Sequence, residues 1–232
     1  MRRMEESQIG SARRVQSTQA LRGRMPEWRT TLVGRDADCA ALRRLLLDEE
    51  QRLVVITGPG GVGKTRLAVQ VATTLQGAFR DGSRFIPLAS APADADPSAA
   101  FAWHLGLRDT GGQTYSDSIL HDLESREMLL VIDNVDHLPQ IATLLRAIES
   151  QCPEVFMLVT SRSELDIYGE VGHPVLPLPS SVNGNILAGQ QPDAGERSAA
   201  VRLLTERARA VQPSFTVTPD NADAGLDGVA VA

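Results

Sequence analysis

At 232 residues and 42% apolar composition, the chain carries enough hydrophobic side chains to bury the core of one domain. Its formal net charge of −6 opposes nonspecific attraction to nucleic acid, and no apolar run approaches the roughly 18 residues that span a bilayer. Cys39 and Cys152 stand far apart without a C-x-x-C spacing or a Cys/His cluster, which leaves zinc and a disulfide framework unsupported.

Residues 1–25 are rich in arginine, serine and glutamine and lack the apolar centre of a secretion signal. They read as a disordered leader of a cytoplasmic protein, with a basic DNA-contacting arm as the alternative. The main domain is expected over 26–178. Asp36 or Asp38 is placed to cap a helix whose apolar face includes Cys39, Leu42, Leu45 and Leu46. Leu53 to Thr57 is an apolar, β-branched run, the pattern of a buried parallel strand.

Gly58-Pro59-Gly60-Gly61-Val62-Gly63-Lys64-Thr65 follows at once, a full match to G-x-x-x-x-G-K-[ST]. Lys64 is the only lysine in the chain; the other 22 Lys/Arg positions are arginine. A compact ammonium suits nucleotide phosphates better than a planar fork. Arg66 to Leu75 carries Leu67, Val71 and Leu75 at helical spacing, so strand, loop and helix stand in the required order. Glycines then let N–H groups turn toward phosphates, and the helix N-terminus adds partial positive charge. The expected nucleotide contacts are Gly58, Pro59, Gly60, Gly61, Val62, Gly63, Lys64, Thr65 and Arg66. Thr65 is expected to hold Mg²⁺ through its hydroxyl.

Ser83 to Ala89 reads as a second strand, Pro97 to Leu107 as a helix, and Ser116 to Ser125 as a helix with Ile119, Leu120 and Leu123 inward. Met128 to Asp133 is a strand that delivers an acid to the carboxyl edge of the sheet, where ligands collect. Asp133 is the candidate second Mg²⁺ contact; a turn or capping aspartate is the alternative. Asn134 stands where many hydrolysing P-loop enzymes carry a carboxylate, and an amide orients water without accepting its proton. Asp136 is a substitute for that carboxylate or an exposed loop charge.

A helix with Leu138, Ile141, Leu145 and Ile148 on one face comes next, then the strand Val155 to Thr160 ending in Ser161-Arg162. Arg162 is the candidate sensor of a γ-phosphate, against the alternative of a surface arginine. His173 to Leu178 reads as a fifth strand, at an edge because of Pro174 and Pro177. Residues 179–196 are expected to be a mobile loop, 197–212 a helix and 213–232 a tail. Alternating strands and helices predict a parallel sheet covered on both faces.

Val33-Gly34-Arg35-Asp36, Thr57 to Thr65, Leu129 to Asn134 with Asp136-His137-Leu138, and Thr160-Ser161-Arg162 with Gly169-Glu170 resemble the nucleotide-binding domain of the STAND ATPases. The likeness is to bacterial transcriptional regulators of the LuxR and AfsR/SARP type, whose domain is similar to NB-ARC, and it continues through Ala200 to Leu204, Glu206 to Ala210 and Thr218 to Ala222. The resemblance implies a three-layer α/β P-loop NTPase fold with a five-stranded parallel sheet in the order 5-1-4-3-2. It also implies that Val33, Gly34 and Arg35 lie against adenine and offer backbone hydrogen bonds to its edge. Trp28 reads as packing rather than as part of the site. After Ala222 the sequence departs from the family pattern, so a truncated nucleotide-binding domain is expected.

Two function classes follow: a regulatory module that exchanges ATP and ADP as a switch, with slow hydrolysis at most, and a P-loop kinase or phosphotransferase acting on a small substrate. A degenerate domain that binds nucleotide without turnover is a third reading. The ligands expected are ATP or ADP with Mg²⁺, with no specific DNA binding by this chain alone and no membrane partner. A protein partner and self-association are left open.

Overall fold

The apolar runs become strands, and their alternate residues feed two separate cores. The computed structural model describes residues 23–28, 30–107, 112–178, 199–212 and 214–216. In chain order they form α1 (Asp36–Leu47), β1 (Leu53–Thr57), α2 (Lys64–Thr74), β2 (Ser83–Pro87), α3 (Pro97–Leu105), α4 (Tyr115–Leu123), β3 (Met128–Asp133), α5 (Ile141–Gln151), β4 (Val155–Thr160), β5 (Val171–Pro174) and α6 (Ala199–Val211). The sheet order is β2-β3-β4-β1-β5 and the strand pairs are parallel. This is the expected 5-1-4-3-2 order taken from the other edge.

Successive strand residues point to opposite faces, and the packing follows that rule. Leu53 and Val55 join Phe101, Ile119, Leu130 and Ile148 beneath α3, α4 and α5, whereas Val54 and Ile56 join Leu42, Leu67, Val71 and Leu129 beneath α1 and α2. The three layers are therefore helix, sheet, helix. Burying each such side chain contributes about 1.5–3 kcal/mol of transfer free energy.

Local chemistry explains where the elements begin and end. Asp96 accepts a hydrogen bond from the Ser98 N–H at 2.9 Å and Pro97 supplies a prearranged first turn, which starts α3. Gly106, with φ of 82°, stops that helix two residues before the expected Leu107. Thr114 and Asp117 form a reciprocal capping box that starts α4. Neither Asp36 nor Asp38 caps α1: the N-cap is Arg35, without a side-chain cap bond. Leu138 is buried in the turn ahead of α5 rather than in the helix.

β5 also differs from expectation. It pairs through Val171, Gly172, His173 and Pro174 against Val54 to Thr57, so the strand starts earlier and stops at the first proline. It does occupy an edge, where a residue without an N–H costs the sheet nothing. The region 179–198, which includes the predicted loop, lies outside the described residues. Among the described residues no helix is long and apolar enough to cross a membrane.

Candidate nucleotide-binding site

β1 ends at Thr57 and the chain turns through six residues before α2 starts at Lys64. Gly58 takes φ of 144°, and a Cβ there would lie 2.5 Å from the Val175 carbonyl oxygen, so only glycine lets the loop pass β5. Gly63 takes φ of 96° as the N-cap of α2. A Cβ at Gly60 or Gly63 would project into open space. Lys64 Nζ donates to the carbonyl oxygens of Gly58 at 2.7 Å and Pro59 at 2.9 Å, which arches the ammonium over the loop. Burial pushes the Lys64 pKa down from its ordinary value; Asp136 opposes the shift, Arg162 adds to it, and Asp133 opposes it. Those four charged groups thus share one edge of the sheet.

Asp133, 8% exposed, closes β3. Its Oδ1 accepts hydrogen bonds from Thr65 Oγ1 and Thr160 Oγ1, both at 2.6 Å. The strand ends are adjacent because Ile132 pairs with Val159, one residue before each. Asn134 then takes a left-handed backbone, φ of 63°, and its N–H donates to Thr160 Oγ1 at 2.9 Å. Asparagine tolerates that region better than most residues. The turn carries Asp136 across to the end of β4, where Asp136 Oδ1 accepts from Ser161 Oγ at 3.0 Å and from the Arg162 N–H. Arg162 Nε lies 3.5 Å from Asp136 Oδ2, and the arginine side chain is 71% exposed.

The structure therefore brings Gly58 to Thr65, Asp133, Asn134 and Arg162 to the same carboxyl edge. Asp136 sits on an exposed loop, as one alternative held, yet its Oδ1 is taken by two donors. Glu170 organises the loop beyond Arg162 by accepting from the N–H groups of Leu165 and Ile167, both at 3.1 Å.

The segment ahead of α1 closes the other side. Val33 is buried, and Gly34, with φ of 70°, packs so tightly on α6 that a Cβ would lie 2.3 Å from Ala199 Cβ. The Arg35 guanidinium is buried and donates to the Val62 and Leu176 carbonyls, tying this segment to the phosphate loop. Arg66 is arranged differently from the rest of the predicted set. Its Nη2 donates to Thr30 O at 2.7 Å, Thr30 Oγ1 at 3.0 Å and Thr31 O at 3.1 Å, and the guanidinium sits 5.6 Å from the centre of the Trp28 ring. Its side chain fastens Thr30 and Thr31 to α2, and Trp28, 43% exposed, lies beside that guanidinium.

Thr160, Ser161 and Glu170 entered the sequence reading without a role, as parts of a strand end or of the family resemblance, and the side-chain role of Arg35 was not foreseen. A hydroxyl at the end of a strand beside the Asp133 strand was the available signal for Thr160.

The family description "AAA domain" matches residues 46–166, a little over half of the chain, from the end of α1 past Arg162. The chain belongs to the AAA domain family. A putative HTH-type transcriptional regulator of Mycobacterium tuberculosis is 35% identical over 190 residues, covering 79% of this chain and 20% of the relative. The regulatory protein AfsR of Streptomyces coelicolor is 34% identical over 98 residues, covering 39% of this chain and 10% of AfsR. This AAA domain thus spans a fifth or less of the length of these regulators. A STAND protein with a tetratricopeptide repeat sensor from Pyrococcus horikoshii shares the fold at a TM-score of 0.51 and 16% identity, over 89% of this chain and 28% of that one. The likeness to the STAND protein holds at the level of the fold.

Proposed function

We propose that this AAA domain is the ATP/ADP-binding module of a STAND-type signalling or transcriptional regulator in the cytoplasm, with slow hydrolysis or none. The observation that carries the reading is the contact of Thr65 and Asp133 at 2.6 Å, directly beside the Lys64 loop. A hydroxyl and a carboxylate are the hard oxygen donors that Mg²⁺ takes alongside nucleotide phosphates. The open space facing Gly60 and Gly63 fits a phosphate that must approach the backbone closely. These residues therefore fit Mg²⁺-nucleotide: Thr65 and Asp133 would hold the metal, and Gly58 to Lys64 the phosphates. Bound Mg²⁺ supplies charge neutralisation between phosphate oxygens.

In this reading Val33, Gly34 and Arg35 lie beside the adenine, supported by the hydrogen bonds of Arg35 to both the phosphate loop and the chain leaving β5. Relatives named as a putative HTH-type transcriptional regulator and as a regulatory protein support the regulatory role. The phosphotransferase reading has no observation in its favour, because Asp133 and Asp136 are both engaged by neighbouring donors rather than turned to an acceptor.

The test is titration of labelled ATP and ADP with and without Mg²⁺, in the wild type and in Lys64→Ala. Loss of the charge-assisted phosphate contact should weaken binding by about tenfold or more. Equal affinity in two folded proteins would reject the site.

A further inference from the structure

Asp136 uses its two oxygens for different work. Oδ1 accepts from Ser161 Oγ and from the Arg162 backbone N–H, so it pins the start of the loop after β4. Among the described residues Oδ2 has an ion-pair partner only in the Arg162 guanidinium, and at 3.5 Å the approach is too long for a charge-assisted hydrogen bond. Arg162 makes no side-chain hydrogen bond among the described residues, and its side chain is 71% exposed. An exposed, loosely held pair of this kind contributes little and is readily exchanged for a better partner. A terminal phosphate is such a partner, because guanidinium engages phosphate oxygens through two parallel N–H donors.

We infer that Asp136 is a specificity-determining residue that competes with the third phosphate of a nucleoside triphosphate for Arg162, biasing the site toward the diphosphate. The inference rests on the nucleotide reading above. One carboxylate then combines a neutral role, anchoring the Arg162 backbone, with a charged role, holding the guanidinium. Lys64 lies within the electrostatic reach of both Asp136 and Arg162, which keeps the competition at the phosphate loop. Sequence alone leaves Asp136 as a substitute base or a loop charge, but a carboxylate with Oδ1 taken by two donors and Oδ2 beside a guanidinium is poorly suited to accept a proton.

Asp136→Asn separates the two roles, since the amide oxygen still accepts from Ser161 and the Arg162 N–H while the charge is gone. The experiment measures Mg²⁺-ATP and Mg²⁺-ADP affinities for the wild type, Asp136→Asn, Arg162→Ala and the double variant. The ratio of the two affinities in each protein is independent of the fraction that folds. Asp136→Asn should raise the ATP preference by about fivefold, the scale of one unit charge a few ångströms away in a solvated site. In the Arg162→Ala background the same change should shrink to roughly twofold or less, the mark of a coupled pair. An undiminished effect there would mean that Asp136 merely repels phosphate, and an unchanged ratio in Asp136→Asn would remove the competition; either overturns the inference. If the wild type binds neither nucleotide, or Lys64→Ala binds as well as wild type, the nucleotide reading itself falls and this inference with it.

Discussion

Arg35 Nη2 donates to the Val62 carbonyl at 2.9 Å, joining the segment ahead of α1 to the interior of the phosphate loop across 27 residues of sequence. The same nitrogen donates to Leu176 O at 2.8 Å, and Nη1 pairs with Asp38 at 3.2 Å. Asp38 in turn accepts from His173 Nε2 at 3.0 Å, which draws β5 into the cluster. A planar guanidinium serves this geometry because its donors diverge in fixed directions.

Arg35→Ala should therefore lower both stability and nucleotide affinity. It leaves two carbonyls without their donor and Asp38 without its arginine, at a cost of about 2–4 kcal/mol. Arg35→Lys should recover only part, since one ammonium cannot match three acceptors spaced for a fork. Urea unfolding followed at constant m-value checks the stability term, and nucleotide titration checks the loop. An alanine variant as stable as the wild type would show that the cluster is ornamental.

Asp133→Asn addresses the metal. The amide oxygen can still accept from Thr65 and Thr160, so the edge should keep its shape while losing the negative charge that favours Mg²⁺. Nucleotide affinity should fall in the presence of Mg²⁺ and change little in its absence. A loss of the same size with and without Mg²⁺ would place Asp133 outside the metal shell.

The strands, the phosphate loop and the Asp133 strand end were legible because each rests on local pattern: β-branched runs of strand length, glycines at fixed spacing, an acid closing an apolar strand; the sheet order came from the family resemblance. Element ends were less legible, since α3 stops at Gly106 through a backbone conformation and β5 starts at Val171 through pairing with β1. The polar network was the least legible part. Thr160 meets Asp133 only because β3 and β4 lie side by side, and Arg35 meets Val62 only after the segment ahead of α1 folds against α2. Such contacts are set by tertiary packing and leave no periodic trace. Arg66 illustrates the converse: its place right after the phosphate pattern points to nucleotide, while the neighbouring Thr30 and Thr31 carbonyls take its guanidinium.

Turnover should be slow, well below the ~1–100 s⁻¹ of kinases. Asn134 cannot accept a proton, and its N–H is committed to Thr160. Asn134→Asp restores a carboxylate at a position whose left-handed backbone aspartate also tolerates, so phosphate release should rise several-fold. Fast release by the wild type that disappears in Lys64→Ala would contradict the assignment of Asn134 as the residue limiting hydrolysis.

A relative of this AAA domain is named as an HTH-type regulator, yet the chain spans only 20% of it, so the name does not by itself give these 232 residues a DNA-reading surface. Their net charge of −6 works against the release of counterions from the phosphate backbone that drives most protein–DNA affinity. Arginines are enriched in the sequence of the first 24 residues, and any phosphate contacts they make should weaken steeply as salt rises. A mobility-shift titration with promoter DNA and a scrambled duplex, each at about 50 and 200 mM salt, distinguishes the cases. Weak retention of both duplexes at low salt and none at high salt is the expected outcome. Retention of one sequence over the other at 200 mM salt would show that this domain reads bases directly.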